Sequence, residues 1–418
     1  MHHQPPGGFH GAGTARAALD AHLGSPGAPA QSVYDAEPIP EGARAEIETL
    51  LATGDLFRYR AAGSPVARLE EEFAAFMGVP FALAVNSCSS ALFLSMKALD
   101  LAPDARVLIP AFTFAAVPSA VVHAGGLPVL VEVGDNFRID LGDLEKKLAA
   151  GADLVLVSHM RGHTSDMDAI MALADAHGVP VVEDAAHSLG TIWGGRKIGT
   201  IGRIGCFSFQ SYKLMNAGEG GMLVTDDPDL IARAIVMSGA YEHNWKKHAH
   251  GQERCGFWQN RLPLYNLRLN NLSAAVLRPQ LAEVPRRADD GRANHDYVAQ
   301  ILNASPWLEV PPALEQETRA PDSIQFNLRG FETDAEARAF QRAAEARGVE
   351  VQLFGLTDGN ARAFWNWGFI GPAPELPRTR AMLMRACDVR LPARLGRHEL
   401  DFVAGGLVAA AAEVKRRG

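Results

Sequence analysis

Between Phe81 and Glu183 short apolar runs alternate with stretches of helical period. The runs Phe81–Val85, Val107–Pro110, Leu127–Val131, Leu154–Ser158 and Pro180–Glu183 predict strands, each four or five residues long. Helices are predicted after Ser87-Cys88-Ser89-Ser90, through Leu99, and over Asp166–Ala176. Upstream, Glu41–Ala52 predicts a short helix. Ser64-Pro65 opens another over Val66–Met77, in which Val66, Leu69, Phe73 and Phe76 share one face. The uncharged stretch Val107–Val131 is long enough to cross a membrane. Pro110, Pro118, Pro128 and Gly125-Gly126 divide it, and strand–helix–strand fits it better. Such alternation predicts an α/β fold with a mostly parallel sheet under covering helices. Ligands of such sheets lie beyond the carboxyl ends of the strands. The Ser87–Ser90 turn, Phe114, His159 and Asp184 all fall at those ends.

Downstream, Gly205–Gly221 reads GCFSFQSYKLMNAGEGG: an apolar strand, a polar turn carrying Lys213, then Gly-Glu-Gly-Gly. Met222–Thr225 predicts a strand and Asp227–Met237 a helix; Tyr241–Leu269 is irregular, and helix resumes at Leu272. Past Pro311 the elements shorten to Ile324–Leu328, Ala335–Arg347 and Val349–Leu353. The organisation expected is a mobile arm over residues 1–30, a large domain over 31–289 and a smaller C-terminal α/β domain over 290–418.

Composition narrows the function. The 418 residues carry a net charge of −8, with no basic field to attract nucleic acid. Cys88, Cys206, Cys255 and Cys387 are scattered without CxxC spacing, which suits reduced thiols in a cytoplasmic enzyme and supports no metal site. The first 30 residues lack a hydrophobic signal-peptide core, and no membrane association is expected.

Lys213 is the candidate nucleophile. A lysine attacks an aldehyde only when neutral, so it needs a site that lowers its pKa; the end of an apolar strand supplies desolvation. That chemistry suits pyridoxal 5′-phosphate, which also needs a carboxylate for its ring nitrogen, an aromatic face and a phosphate cradle. Asp184 supplies a carboxylate one strand away and 29 residues earlier. The Ser87–Ser90 turn leaves backbone N–H groups at a helix N-terminus, where a phosphate can bind, although the same residues suit a plain serine N-cap.

The stretch DAAHSLGTIWGGRKIGTIGRIGCFSFQSYKLMNAGEGG resembles the signature of the DegT/StrS group of pyridoxal-phosphate-dependent sugar aminotransferases: Asp-Ala-Ala-Gln/His, then Ser-Phe-x-x-x-Lys, then Gly-Glu-Gly-Gly. The Lys213 stretch is nearest to members that make aminated octulosonates or 3-amino-5-hydroxybenzoate. The resemblance implies fold type I architecture and a homodimer with active sites shared between subunits. It implies transfer of an amino group from glutamate or glutamine to a keto-sugar, or to a related acidic or cyclic ketone, by ping-pong chemistry. Lys213 and Asp184 would be catalytic. His187 would lie by the ring's 3-oxygen and Phe114 would stack on the ring. Cys88, Ser89 and Ser208 would hold the phosphate, with Asn266 reaching it from the partner subunit.

Two positions depart from the pattern. Cys88 stands where the family has glycine, and Arg161-Gly162-His163 replaces aromatic-Gly-Gln on the substrate side. His159 and Arg161 are therefore candidate substrate contacts. His243, Lys246, Lys247, His248, His250 and Arg254 form a further cationic segment, readable as an anion site or as a solvated face. Rival readings keep the cofactor but change the outcome: a dehydratase or aromatising synthase, or a regulatory protein without turnover. The dehydratases of the group have histidine in place of the lysine, which Lys213 argues against.

Overall fold

The computed structural model describes Val33 and residues 35–417; the expected N-terminal arm, residues 1–30, lies outside the described residues. The predicted strands form as β1 (Phe81–Val85), β2 (Arg106–Pro110), β3 (Leu127–Val131), β4 (Leu154–Ser158) and β5 (Val181–Asp184). After the short strands β6 (Ile192–Trp193) and β7 (Arg196–Lys197) come β8 (Ile204–Ser208) and β9 (Gly221–Thr225). A seven-stranded sheet runs β1-β9-β8-β5-β4-β2-β3. The ladder from β3 through β8 is parallel, and β9 pairs antiparallel with both β8 and β1. It is therefore the one reversed strand of this sheet, because a hairpin joins β8 to β9.

The strands read as unbroken apolar runs because both faces of the sheet are covered. Alternate residues feed separate cores. Val107, Ile109, Leu154, Leu156 and Val182 pack on one face, with the helices Cys88–Ala98 and Pro228–Met237. Leu108, Val155, Val157 and Val181 pack on the other, with Pro65–Met77 and Met167–Ala176. Two glycines allow close approaches that any side chain would block. A Cβ on Gly205 would lie 1.9 Å from the Gly199 carbonyl oxygen, and one on Gly221 would lie 2.4 Å from the Ser87 carbonyl carbon.

A second sheet is wholly antiparallel, ordered β10-β12-β14-β13. Its strands are β10 (Leu308–Glu309), β12 (Ser323–Leu328), β13 (Gln352–Leu353) and β14 (Ala386–Arg390). The helices Asp334–Glu345 and Arg397–Arg417 share its core. Position 290 lies inside a continuous helix, Val284–Asn303. That helix starts with Val284 and Ala288 in a core of the large sheet and ends with Val298 and Leu302 in the small one. The units are also stitched elsewhere: β11 (Glu317–Thr318) pairs with β6, and Phe354 packs on Phe112 with ring centroids 4.9 Å apart. Among the described residues no helix is long and apolar enough to cross a membrane. The proline-broken stretch 107–131 is β2, a helix over Ala116–Ala124, and β3.

Candidate active site

The carboxyl ends of β2, β4, β5 and β8 gather the candidate residues, and strand parity decides which of them meet. Asp184 shares its face with Val182, and Ser158 shares that face two residues beyond Leu156. The Ser158 hydroxyl donates to Asp184 Oδ2 at 2.7 Å, and Thr113 donates to Ser158 Oγ at 2.8 Å. The Ala186 N–H donates to Asp184 Oδ1 at 3.1 Å. Asp184 is 6% exposed, so these donors orient a carboxylate that burial would otherwise penalise. Cys88 Sγ lies 3.9 Å from Asp184 Oδ1; burial, with the Asp184 charge next, pushes its thiol well up. This thiol is neutral and inert at ordinary pH.

Lys213 follows the end of β8, its N–H donating to the Gln210 carbonyl at 2.8 Å. Its Nζ lies 2.8 Å from His187 Nε2 and 3.2 Å from Nδ1. Burial lowers the Lys213 pKa to about 8, against the upward pull of Asp322 and with the downward push of Arg161. His187 is held well below its ordinary range by burial and then by Lys213, Arg161, Arg362 and Arg390, so the imidazole stays neutral. A half-buried, partly neutral amine beside a neutral imidazole and a buried carboxylate suits carbonyl chemistry.

The phosphate cradle has its backbone in place. Ser87 caps the helix Cys88–Ala98 by accepting from the Ser90 N–H at 3.1 Å. Cys88 and Ser89 thus occupy the first helical positions, whose amides lack intrahelical acceptors. Gly221, opposite Ser208 in the β8–β9 ladder, lets this loop press against β9. Ser208 is half-buried, and its hydroxyl accepts from the Gln210 N–H at 3.4 Å. Phe114, just past β2, is 45% exposed at the mouth, with the Arg362 guanidinium 5.8 Å from its ring centroid. Asn266 is exposed; its neighbour Leu267 accepts from the Asn86 N–H at 2.8 Å. The donor set fits pyridoxal phosphate: a nucleophilic amine, a buried carboxylate and free amides at a helix N-terminus.

Two expectations are corrected, and one left open is resolved in part. His159 lies on the opposite face of the sheet, continuing Val155 and Val157, and its Nε2 is 3.3 Å from the fully buried Glu183 carboxylate. Glu183 also accepts from the Gly199, Ile201 and Gly202 N–H groups at 2.7–2.8 Å. His159 therefore closes a buried polar cluster behind the site and does not line it. Arg161, held at φ 55°, lies near Lys213 and His187, but it is 8% exposed and its guanidinium is bonded to Asp388. The grip expected of it on a substrate is already taken. In the cationic segment, left open between an anion site and a solvated face, His243, Lys246 and His250 are exposed while three others are tied down. His248 is buried against Glu70, Arg58 and Tyr59; Arg254 pairs with Asp229; and Lys247 donates to the Tyr59 carbonyl.

Sequence reading missed Thr113, Ser158, Asp322, Arg362, Asp388 and Arg390. Parity along β4 and β5 could have found Ser158. Thr113 lies just past β2; nothing local marks the other four, which arrive from the second sheet and its loops.

Residues 41–407 match the model of the DegT/DnrJ/EryC1/StrS aminotransferase family. Over 314 residues the chain is 35% identical to the 3-amino-5-hydroxybenzoate synthase of Amycolatopsis mediterranei, covering 74% of this chain and 78% of that protein. It is 37% identical over 240 residues to the spore coat polysaccharide biosynthesis protein SpsC of Bacillus subtilis, covering 57% of this chain but only 60% of that protein's length. Among solved structures, the aminotransferase from Psychrobacter cryohalolentis superposes with a TM-score of 0.80 at 24% identity, covering 91% of this chain and 100% of that one.

Proposed function

The chain belongs to the DegT/DnrJ/EryC1/StrS aminotransferase family, and from that premise we propose that it moves an amino group from glutamate or glutamine to a keto-sugar or a related acidic or cyclic ketone. The observation that carries this reading is the convergence of Lys213 Nζ, 2.8 Å from His187 Nε2, with the Ser158-braced Asp184, whose charge acts on that amine. When bound, pyridoxal phosphate supplies an aldehyde that exchanges amines and a ring that draws electrons from the substrate's α-carbon. Lys213 would be the residue that holds the cofactor through its aldehyde. When not engaged with the cofactor, its Nζ would serve as the general base for the proton on the substrate α-carbon. A pKa near 8 leaves much of it neutral for both tasks. Asp184 holds a proton on the ring nitrogen, and Ser158 and Thr113 keep its carboxylate turned that way. The Cys88 and Ser89 amides and the Ser208 hydroxyl would hold the phosphate, and Phe114 would lie by the ring.

We read the working unit as a cytoplasmic homodimer. Asn266 is exposed, and nearby Leu264, Phe257, Tyr241 and Phe57 leave apolar surface at 40–51% exposure. A partner covering them would bring Asn266 to its neighbour's phosphate. The two relatives differ in product class, a polysaccharide pathway and an aminohydroxybenzoate, so the acceptor follows from this chain's own loops.

Borohydride reduction of the cofactor-loaded protein tests the reading. Peptide mapping should place the pyridoxyl mass on Lys213, and Lys213→Ala should neither take the label nor transfer amino groups. A label on Lys197 or no label refutes it.

A further inference from the structure

A buried relay of hydrogen bonds runs from the second sheet towards Lys213, and its chemistry allows one direction only. Arg319 can only donate, so its Nη2 donates to His163 Nδ1 at 3.1 Å. An imidazole that accepts at Nδ1 carries its proton on Nε2, which donates to the Gln325 side-chain oxygen at 2.8 Å. With its oxygen taken, Gln325 turns its amide nitrogen the other way. That nitrogen donates to Asp388 Oδ1 at 2.7 Å and to Ser323 Oγ at 3.0 Å. Asp388 Oδ2 accepts from Arg161, and the Ser323 hydroxyl donates to Asp322 at 2.9 Å. A flipped Gln325 amide would set its oxygen against the Asp388 carboxylate, so the relay has a single satisfied arrangement. His163, Gln325, Ser323 and Asp388 are all buried, where an unmade hydrogen bond is costly. Burial first, then Arg319 and Arg138, with His295 behind them, hold the His163 pKa well below its ordinary range and keep the ring neutral.

The fork at Gln325 reaches two charges that act on Lys213 in opposite senses. Asp322 favours its ammonium form and Arg161 disfavours it. Arg161 is brought there by a strained loop, with a left-handed φ of 55° followed by Gly162 at 78°. The loop presses on the site: a Cβ on Gly162 would lie 3.3 Å from the His187 carbonyl oxygen, and His187 Nε2 is 2.8 Å from Lys213 Nζ. The relay is anchored at its far end. Arg319 lies 3.2 Å from Glu317, which also accepts from Arg138 at 2.6 Å and from the Thr164 N–H at 2.8 Å. Side chains of β12 and β14 thus hold the loop that follows β4.

We propose that His163 and Gln325 are positioning residues of the active site: Gln325 orients Asp388 and Ser323 together, and His163 fixes which way its amide faces. Their action on Lys213 runs through Arg161 and Asp322. The inference rests on the aminotransferase reading for the reaction served, but the state of the Lys213 amine can be read without cofactor.

Competitive acylation of the cofactor-free protein across pH gives the Lys213 midpoint. Arg161→Gln removes the opposing cation and should raise it, by up to roughly one unit. His163→Leu and Gln325→Met should each reproduce part of that rise, because Asp388 loses its oriented donor and Arg161 its hold, while Ser323 still donates to Asp322. Adding Arg161→Gln to either should then raise the midpoint by less than it does in wild type. His163→Gln can accept from Arg319 through its oxygen and donate to Gln325 through its nitrogen, so it should keep the wild-type midpoint. An unmoved midpoint in folded His163→Leu or Gln325→Met, effects additive with Arg161→Gln, or a His163→Gln that behaves like His163→Leu overturns the proposal. If His163→Leu gives no cooperative melt, Gln325→Met, closer to the native side chain in length, carries the comparison. Nitrogen NMR of histidine-labelled wild type reads the relay without any variant. His163 should be neutral with its proton on Nε2 from about pH 6 to about 8, and a proton on Nδ1 overturns the proposal. In the cofactor-loaded enzyme the half-reaction with glutamate should slow in His163→Leu and Gln325→Met and recover in His163→Gln. Midpoints that move as stated in an enzyme that exchanges no amine with any donor keep the positioning role and remove the aminotransferase reading. Normal exchange with unmoved midpoints does the reverse.

Discussion

The reactivity of Lys213 can be measured on the cofactor-free protein, because the same burial that sets its pKa is present there. A lysine at its ordinary value carries roughly one neutral amine in a thousand near pH 7.5. At about 8 the fraction is roughly one in four, a gain of roughly 200-fold in nucleophile from environment alone. Burial supplies the shift and Asp322 opposes it most strongly, so Asp322→Asn removes the charge that favours the ammonium form. The midpoint should fall below 8, by roughly half a unit to one unit for a nearby charge partly reached by water. The Asn side chain can still accept from Ser323, so the fold should survive. Competitive labelling with a small acylating reagent, read peptide by peptide across pH, gives the midpoint at Lys213 against the surface lysines. A midpoint near that of the surface lysines, or one that Asp322→Asn raises, refutes the argument that burial against a nearby carboxylate sets this amine.

Asp184→Asn should retain the fold and lose most turnover, since a neutral amide no longer holds a proton on the ring nitrogen; near-normal kcat would count against the role. Ser158→Ala leaves Asp184 without its hydroxyl donor and Thr113 without its acceptor. It should cost about 1–3 kcal/mol in urea unfolding and lower kcat, whereas a merely structural serine would change stability alone. Gly221→Ala puts a Cβ 2.4 Å from the Ser87 carbonyl and 2.6 Å from the Cys88 nitrogen, so it should weaken cofactor affinity more than it lowers the melting temperature. Glu70 is buried, yet Arg58 and His248 overcome the burial penalty and hold its pKa at about 2. A depressed carboxyl stabilises the fold above its unfolded value near 4.5 and loses that contribution as pH falls towards 2. Glu70→Gln should therefore destabilise the protein at neutral pH, by about 3–5 kcal/mol for a broken buried pair, and flatten the acid limb of the stability curve.

The sequence alone determined the layered α/β fold and its strands, because period-2 and helical apolar patterns act over a few residues and need no partner to be read. Leu127–Val131 and Leu154–Ser158 form where the pattern puts them. Lys213 and Asp184 were legible for a related reason: each stands at the end of an apolar strand, where a parallel sheet gathers its chemistry. The parity of β4 was also present in the sequence, since His159 is odd where Asp184 is even across paired strands, Ser158 being opposite Asp184. Only the register made it decisive, sending His159 to Glu183 and Ser158 to Asp184. The short strands β6 and β7 and the reversal of β9 needed tertiary pairing, since two-residue strands have no period and direction follows from what a hairpin packs against. Charges were the least legible. Arg161 and the segment 243–254 looked available because a sequence shows a charge without its counter-ion, and Asp388, Glu70 and Asp229 lie far along the chain.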